Sequence, residues 1–157
     1  MGLRYRQSVS DKAVYFVTTS RIGHRQFPDY PDSLQIIQEI IFRTAVDKFV
    51  SIMGYVLMPN HLHLLVKTKH GGNDLSRFVH SIKGRIRETL VGKDRFWQER
   101  YDDFMIRMQE QFSVKLNYIH HNPVRAQLVK EPGEWPFSSY LDWLNHDPSK
   151  GVVFDFD

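Results

Sequence analysis

The stretch from Gly54 to Val66 restricts the fold more than any other part of the chain. Two apolar runs flank the pair Pro59-Asn60, and the second run carries two histidines. Valine and tyrosine on both sides of the pair favour strands. Proline fixes φ near about −65° and asparagine is a common turn residue, so the pair marks a short connection. The stretch therefore predicts a β-hairpin.

Alternation along the second strand separates its histidines from its leucines. Because successive side chains of a strand point to opposite faces, His61 and His63 project from one face. Leu62 and Leu64 project from the other face, which is predicted to be the core side. Two imidazoles on one strand can bind a single metal ion. The alternative is a strand that only tolerates two half-exposed histidines, so a metal site needs a partner elsewhere in the chain.

The other patterns along the chain predict one α+β domain. Strand propensity, apolar periodicity and turn residues predict a strand over 13–20, a helix over about 32–48, the hairpin over about 49–67, a helix over about 75–91, a strand over 102–107 and a helix over about 109–122, ended by Pro123. Two strand-helix-strand halves in this order favour a ferredoxin-like antiparallel sheet with helices packed on one face. The length of 157 residues fits a single domain over 1–157, with 130–157 as an aromatic C-terminal tail.

Composition narrows the kind of site and partner. The chain has no cysteine, which excludes disulfides and thiolate metal sites. Its net charge of +3 favours an anionic partner. No apolar run is long enough to span a bilayer, and we expect a cytoplasmic protein associated with nucleoid DNA.

The excess positive charge is concentrated on the second predicted helix. Four cations fall outside its apolar arc, with only Glu88 to balance them; they are Arg77, Lys83, Arg85 and Arg87. Such a face suits a phosphate backbone, and we assign these four residues and Lys115 to DNA binding. The alternative is an ordinary solvated helix surface.

The third predicted helix offers partners for the two histidines. Tyr118 and Asn122 lie one turn apart on it and share a stripe with Lys115. Packed beside the hairpin, this helix would bring the Asn122 carboxamide oxygen to the ion bound by His61 and His63. Two nitrogens and one oxygen leave positions open on an octahedral ion for phosphate oxygens and water. Tyr118 would then be the nucleophile, helped by the metal, a nearby base or Lys115.

Two strings together resemble a known family. Residues 57–66, Leu-Met-Pro-Asn-His-Leu-His-Leu-Leu-Val, and residues 117–126, Asn-Tyr-Ile-His-His-Asn-Pro-Val-Arg-Ala, resemble the single-tyrosine transposases with an HUH motif (His, hydrophobic, His). The resemblance is greatest to the REP-associated tyrosine transposases, which have an aromatic tail similar to residues 135–140. It extends from about residue 13 to residue 140. Where the family often has glycine, this chain has Gln127.

This resemblance implies a metal-dependent enzyme that cleaves and rejoins single-stranded DNA at ends marked by hairpins. It implies that His61 and His63 bind Mg²⁺ or Mn²⁺ and that Asn122 completes the metal site. It further implies that Tyr118 attacks the scissile phosphate to give a 5′-phosphotyrosine and a free 3′-hydroxyl. The expected partner is single-stranded or hairpin DNA. The expected assembly is a homodimer or a monomer, because the family contains both.

Two other functions remain open at this point. One is a zinc hydrolase with a His-x-His site, although no Asp-His pair follows Leu64 and Leu65. The other is a module that binds hairpin DNA without cutting it, which would need neither the histidines nor Tyr118. His120 and His121 do not share the stripe of Tyr118, and we predict that they form a surface pair or contact DNA.

Overall fold

The structure, a computed structural model, describes residues 12–156. Its main elements are β1 (Ala13–Ser20), α1 (Asp32–Asp47), β2 (Ser51–Leu57), β3 (His61–Thr68), α2 (Gly72–Val91), β4 (Asp102–Ile106), α3 (Gln109–Arg125) and α4 (Tyr140–Leu144). Short 3₁₀ turns occupy Ile22–His24 and Pro132–Glu134. The first eleven residues of the predicted domain lie outside the described range.

The four strands form one antiparallel sheet in the order β2-β3-β1-β4. This order, with a helix between β1 and β2 and another between β3 and β4, confirms the ferredoxin-like prediction. The hairpin is also confirmed, since β2 and β3 pair and the N–H of Met58 donates to the carbonyl of His61 over 2.8 Å.

The leucine face of β3 is the core face, as predicted. Leu62 and Leu64 are fully buried. Tyr55 pairs with Leu64 across the hairpin, and its ring meets Phe42 of α1 edge to face at 5.3 Å. Helix α2 packs on α1 and on β3, so both helices of the ferredoxin-like unit cover this face.

Helix α3 lies on the opposite face, which also bears the histidines. Gly54 and Leu65 are paired on that face, and a Cβ atom on Gly54 would lie only 2.8 Å from Cδ1 of Leu116 in α3. The missing side chain is therefore what lets α3 approach the sheet. The prediction that helices pack on one face of the sheet is thus correct for α1 and α2. Helix α3 instead covers the other face, where it buries Leu65.

The predicted end of the third helix is wrong. Helix α3 runs through Pro123 to Arg125. A proline so near the end of a helix removes a single main-chain hydrogen bond. The carbonyls of Asn122 and Pro123 still accept bonds of 2.9 Å from residues 126 and 128. Gln127 follows with φ of 60°, a left-handed conformation that favours glycine.

The C-terminal tail covers the outer edge of β2. Its bonds to that strand include Trp135 Nε1 to the carbonyl of Leu57 (3.0 Å) and Trp143 Nε1 to the carbonyl of Met53 (2.7 Å). Main-chain bonds link residues 137–139 and 153 to the same strand. The tail therefore protects an edge that would otherwise be open to pairing. Within residues 12–156, no helix combines the length and apolar character needed to cross a membrane.

Candidate active site

The two histidines of β3 lie side by side on one face of the sheet. Their ring centroids are 4.9 Å apart. Nδ1 of His61 bonds Oδ1 of Asn60 over 2.7 Å, and the amide nitrogen of Asn60 donates to the carbonyl of His24. This fixes the Asn60 oxygen as an acceptor, so Nδ1 of His61 bears the proton. Nε2 of His61 is then left with a free lone pair, which is the form that binds a metal.

The second histidine is held by a side chain of the neighbouring strand. Thr18 pairs with His63 between β1 and β3, and its hydroxyl lies 2.7 Å from Nδ1 of His63. Phe16 stacks on the His63 ring at 5.3 Å. The ring of His63 is therefore fixed by a hydrogen bond and by stacking, and its Nε2 is the nitrogen available to a ligand.

Both histidines are held neutral by their surroundings. Burial lowers the pKa of His63 to about 3, and the neighbouring His61, Arg125 and Lys115 lower that pKa further. Burial also lowers the pKa of His61, with a further contribution from His24. A neutral imidazole is the form required for coordination, so no proton has to be displaced at neutral pH.

Helix α3 places Tyr118 next to His63 within one chain. The two ring centroids are 5.6 Å apart, and Phe16 lies edge to face with Tyr118 at 6.2 Å. Tyr118 is 43% exposed, so its side chain is open to a substrate. The structure thus brings together the hairpin histidines and the helix tyrosine that the sequence analysis singled out.

Asn122 follows one turn after Tyr118 on the same helix. Its Nδ2 atom is buried and finds no hydrogen-bond partner among residues 12–156. Rotation of the amide exchanges Nδ2 for Oδ1, so the unpaired position can hold an oxygen acceptor instead of a donor. The described residues contain no cluster of three or more His, Cys, Asp or Glu side chains. Imidazole nitrogens and amide oxygens are both ligand types that divalent metal ions accept.

One cation contacts the Tyr118 ring, and another contacts the ring of the neighbouring Phe16. The guanidinium of Arg125 lies 4.4 Å from the centre of the Tyr118 ring and donates a hydrogen bond to the Tyr118 carbonyl. Lys115 lies 4.9 Å from the ring centre of Phe16 and 5.4 Å from that of Phe104. Such charges stabilise negative charge that develops on a phosphate or a phenolate.

Sequence reasoning missed three residues of this site. Arg125 was missed because the helix was expected to end before Pro123. Thr18 was missed because the register between β1 and β3 is not readable from either strand alone. Asn60 had been interpreted only as a turn residue, although its position directly before His61 was a usable signal.

The structure brings together only part of the basic face of α2. Arg77, Lys83 and Arg87 line one groove, together with residues 95–99 and Tyr101. Arg85 lies apart from them, because its Nη1 bonds Oδ2 of Asp47 (2.8 Å) and the hydroxyl of Thr44 (3.0 Å) in α1.

The predicted surface pair of histidines is wrong for His120. Its side chain is buried, and Nε2 lies 2.8 Å from the hydroxyl of Ser139 in the tail. Burial lowers the pKa of His120 to about 4. The tail covers this side of α3, which the helical stripe alone did not reveal. His121 is partly exposed and bonds the carbonyl of Asn117 over 3.0 Å.

Comparison with known proteins gives consistent matches. The family described as "Transposase IS200 like" matches residues 16–122. A REP-associated tyrosine transposase of Escherichia coli (strain K12) is 26% identical over 148 residues, covering 94% of this chain and 86% of the relative. A putative REP-associated tyrosine transposase of Haemophilus influenzae is 24% identical over 149 residues, covering 87% of this chain and 84% of the relative.

Two solved structures share the fold. A REP-associated tyrosine transposase bound to a REP hairpin superposes with a TM-score of 0.78 at 24% identity, covering 100% of this chain and 90% of the other. A putative transposase from Deinococcus radiodurans gives a TM-score of 0.50 at 15% identity, covering 77% and 95%.

Proposed function

This chain belongs to the IS200-like transposase family, and we propose that it cleaves and rejoins single-stranded DNA beside a hairpin through a covalent link to Tyr118. The observation that supports this most is the placement of the Tyr118 ring 5.6 Å from His63. Both histidines there are neutral, with their Nδ1 atoms already bonded. A site that only bound DNA would need no such arrangement.

The proposed metal ligands are His61, His63 and the amide oxygen of Asn122. A divalent ion held there supplies Lewis-acid polarisation of the scissile phosphate. The residues behind the ligands have their own task. Asn60 keeps Nε2 of His61 unprotonated, and Thr18 fixes the orientation of the His63 ring.

Tyr118 is the proposed nucleophile. Its oxygen forms a bond to the phosphorus while the bond from phosphorus to the 3′-oxygen breaks. The phenolic proton passes to water, and the departing 3′-oxygen takes up a proton. Lys115 and Arg125 reduce the cost of the negative charge that develops during this exchange.

Rejoining is the same exchange in reverse. The 3′-hydroxyl of a second strand attacks the 5′-phosphotyrosine, the bond between phosphorus and the tyrosine oxygen breaks, and Tyr118 regains its proton. One phosphodiester is exchanged for another, so no external energy source is needed. A water nucleophile would lose the bond instead.

Hairpin DNA is the proposed substrate because a relative of the same fold was solved bound to a REP hairpin. Tyr118 and both histidines meet within one chain, so we propose that each chain cuts with its own tyrosine, whether it acts as a monomer or within a homodimer. Because the proposed substrate is DNA, we place the protein in the cytoplasm with the nucleoid.

The test is covalent capture of DNA. A hairpin oligonucleotide with single-stranded flanks is incubated with the protein and Mg²⁺ or Mn²⁺, and adducts are resolved on a denaturing gel. We expect an adduct that Tyr118→Phe abolishes and Tyr140→Phe, a matched loss of a phenol in the tail, leaves unchanged.

Each other outcome of this test contradicts the proposal in a different way. An adduct that persists in Tyr118→Phe removes Tyr118 from its role. Binding without any adduct in either metal indicates a module that does not cut. Cleavage without an adduct that is fastest with Zn²⁺ indicates a hydrolase.

A further inference from the structure

A second candidate site lies in a groove of about 1050 Å³ between α2 and the segment 95–101. Three cations spaced along α2 form one wall, and an arginine and two aromatic rings form the other. The residues that matter for its chemistry are Arg77, Lys83, Arg87, Arg95, Trp97 and Tyr101. Helix α2 covers the leucine face of the sheet, so this groove is separate from the site formed by the histidines and Tyr118.

The second wall is fixed rigidly to the helix. Trp97 Nε1 donates to the main-chain carbonyl of Lys83 over 2.9 Å, and the ammonium of Lys83 donates to the carbonyl of Gln98 over 3.4 Å. Phe96 is buried and stacks on Phe27 at 5.9 Å. The groove is therefore preformed and does not depend on a ligand to assemble it.

The charges and hydrogen-bond donors of the groove suit an anion. Nε of Arg87 is buried and has no hydrogen-bond partner among residues 12–156. An unpaired guanidinium donor is costly, and a phosphate oxygen would satisfy it. Burial also lowers the pKa of Lys83, a cost that a nearby anion offsets. Glu88 and Glu99 line the groove as well, but its cations outnumber them.

The aromatic rings indicate which class of anion the groove would bind, namely single-stranded nucleic acid. Trp97 and Tyr101 are partly exposed and line the groove, and the Lys83 ammonium lies 5.9 Å from the centre of the Tyr101 ring. Unpaired bases stack on such rings, and cations beside them bind the connecting phosphates. Bases inside a paired stem are already stacked on their neighbours and cannot insert between such rings.

The groove is close to the proposed catalytic site along the sheet. The N–H of Gln98 donates to the carbonyl of Ser20, and Ser20 pairs with His61. Segment 95–101 leads directly into Asp102, which pairs with Thr18, the partner of His63. Segment 95–101 therefore connects the groove to the end of the sheet that carries His61 and His63.

We propose that this groove binds the unpaired DNA strand next to the phosphodiester that Tyr118 attacks, with bases stacked on Trp97 and Tyr101 and phosphates on Arg77 and Arg87. The choice of DNA as the ligand rests on the proposed function. The binding itself requires no metal and no catalysis.

The experiment measures equilibrium binding in EDTA, in a Tyr118→Phe background that cannot form an adduct. The probes are a fluorescein-labelled hairpin with an unpaired tail of about ten thymidines and the same hairpin with a blunt end. For the double variant Arg77→Gln/Arg87→Gln we expect about tenfold weaker binding of the tailed probe. The slope of the logarithm of the binding constant against the logarithm of the salt concentration should fall in magnitude by about 1.4. The blunt probe should change less than about twofold.

Arg43→Gln/Lys69→Gln is the matched control, because it also removes two positive charges, from exposed positions outside the groove. It should leave the affinity for the tailed probe unchanged. Thermal unfolding of every variant shows that the fold is retained. As an independent measurement, 2-aminopurine in the tail should be quenched on binding, and Tyr101→Leu should reduce that quenching.

Three outcomes would overturn the inference. The first is an unchanged affinity of the double variant for the tailed probe. The second is an equal loss of affinity for the tailed and blunt probes, and the third is 2-aminopurine quenching that Tyr101→Leu does not alter. Failure of the proposed function looks different. In that case the protein with Tyr118 intact forms no adduct in the presence of Mg²⁺ or Mn²⁺. Binding of the tailed probe in EDTA still depends on Arg77 and Arg87.

Discussion

The hydroxyl oxygen of Thr18 lies 2.7 Å from Nδ1 of His63, although the two residues are 45 positions apart in the chain. The bond crosses from β1 to β3 at a directly paired position. It fixes the ring that also faces Tyr118. The first strand therefore orients a proposed metal ligand through a side chain that is not itself a ligand.

Thr18→Val is predicted to weaken metal binding by about 10-fold to 100-fold, the usual cost of losing such a supporting hydrogen bond. Valine keeps the shape and the strand propensity of threonine, so the fold should be retained. Mn²⁺ titration followed by electron paramagnetic resonance measures the affinity. Thr68→Val, which removes a hydroxyl bonded to the carbonyl of Ala13 at the far end of β3, is the control. Equal Mn²⁺ affinity in Thr18→Val and the control would contradict the assigned role.

Arg125→Gln is predicted to slow adduct formation at saturating DNA and metal by about 10-fold to 100-fold, because it removes a positive charge beside the Tyr118 ring. Arg125→Lys keeps the charge and should recover part of the rate. Single-turnover kinetics on denaturing gels give both rates. A lysine variant as slow as the glutamine variant would mean that Arg125 acts through its helix contact alone, and an unaltered rate in both would exclude it from the chemistry.

The sequence predicted the parts of the fold that depend on local patterns. Alternation in β3 separated the histidines from Leu62 and Leu64, and the order of strands and helices was sufficient for the ferredoxin-like sheet. What it did not reveal depends on contacts between distant segments. The bond from Thr18 needs the β1 to β3 register, and the burial of His120 needs the tail, which covers it through Ser139.

The helix end shows a different limit. Proline disfavours helix in general, yet Pro123 sits where only one bond is lost, so the helix continues and carries Arg125 to the site. The same segment then places Gln127 at φ of 60°. This is the position at which glycine was expected from the family resemblance.

Gln127→Gly is predicted to stabilise the protein by about 0.5 to 1 kcal/mol, because glycine adopts a positive φ without the steric cost that glutamine carries. Chemical denaturation measures the change. Ala126→Gly is the matched control, since Ala126 has φ of −79° and gains nothing from glycine. The control should lose stability by about 0.5 to 1 kcal/mol, and the same sign for both variants would contradict the explanation.

Asp142→Asn is predicted to stabilise the protein at neutral pH. The Asp142 side chain is 3% exposed, its Oδ2 is buried without a hydrogen-bond partner among residues 12–156, and Oδ1 is 3.8 Å from the ammonium of Lys150. Burial raises the pKa of Asp142, and Asp147 adds to the rise while Lys150 opposes it. The folded protein therefore resists ionisation of this carboxyl more than the unfolded chain does.

The pH dependence of this gain follows from the sign of the pKa shift. A carboxyl with a raised folded-state pKa imposes no penalty below its unfolded pKa of about 3.9, and the full penalty above its folded-state pKa. The advantage of Asp142→Asn should thus be about 1 kcal/mol at pH 7 and should vanish as the pH falls below about 4. Denaturant unfolding across this range measures it, with Asp94→Asn at an exposed position as the baseline. An advantage that did not change with pH would mean that asparagine stabilises through packing, because only removal of a buried charge makes the gain depend on protonation.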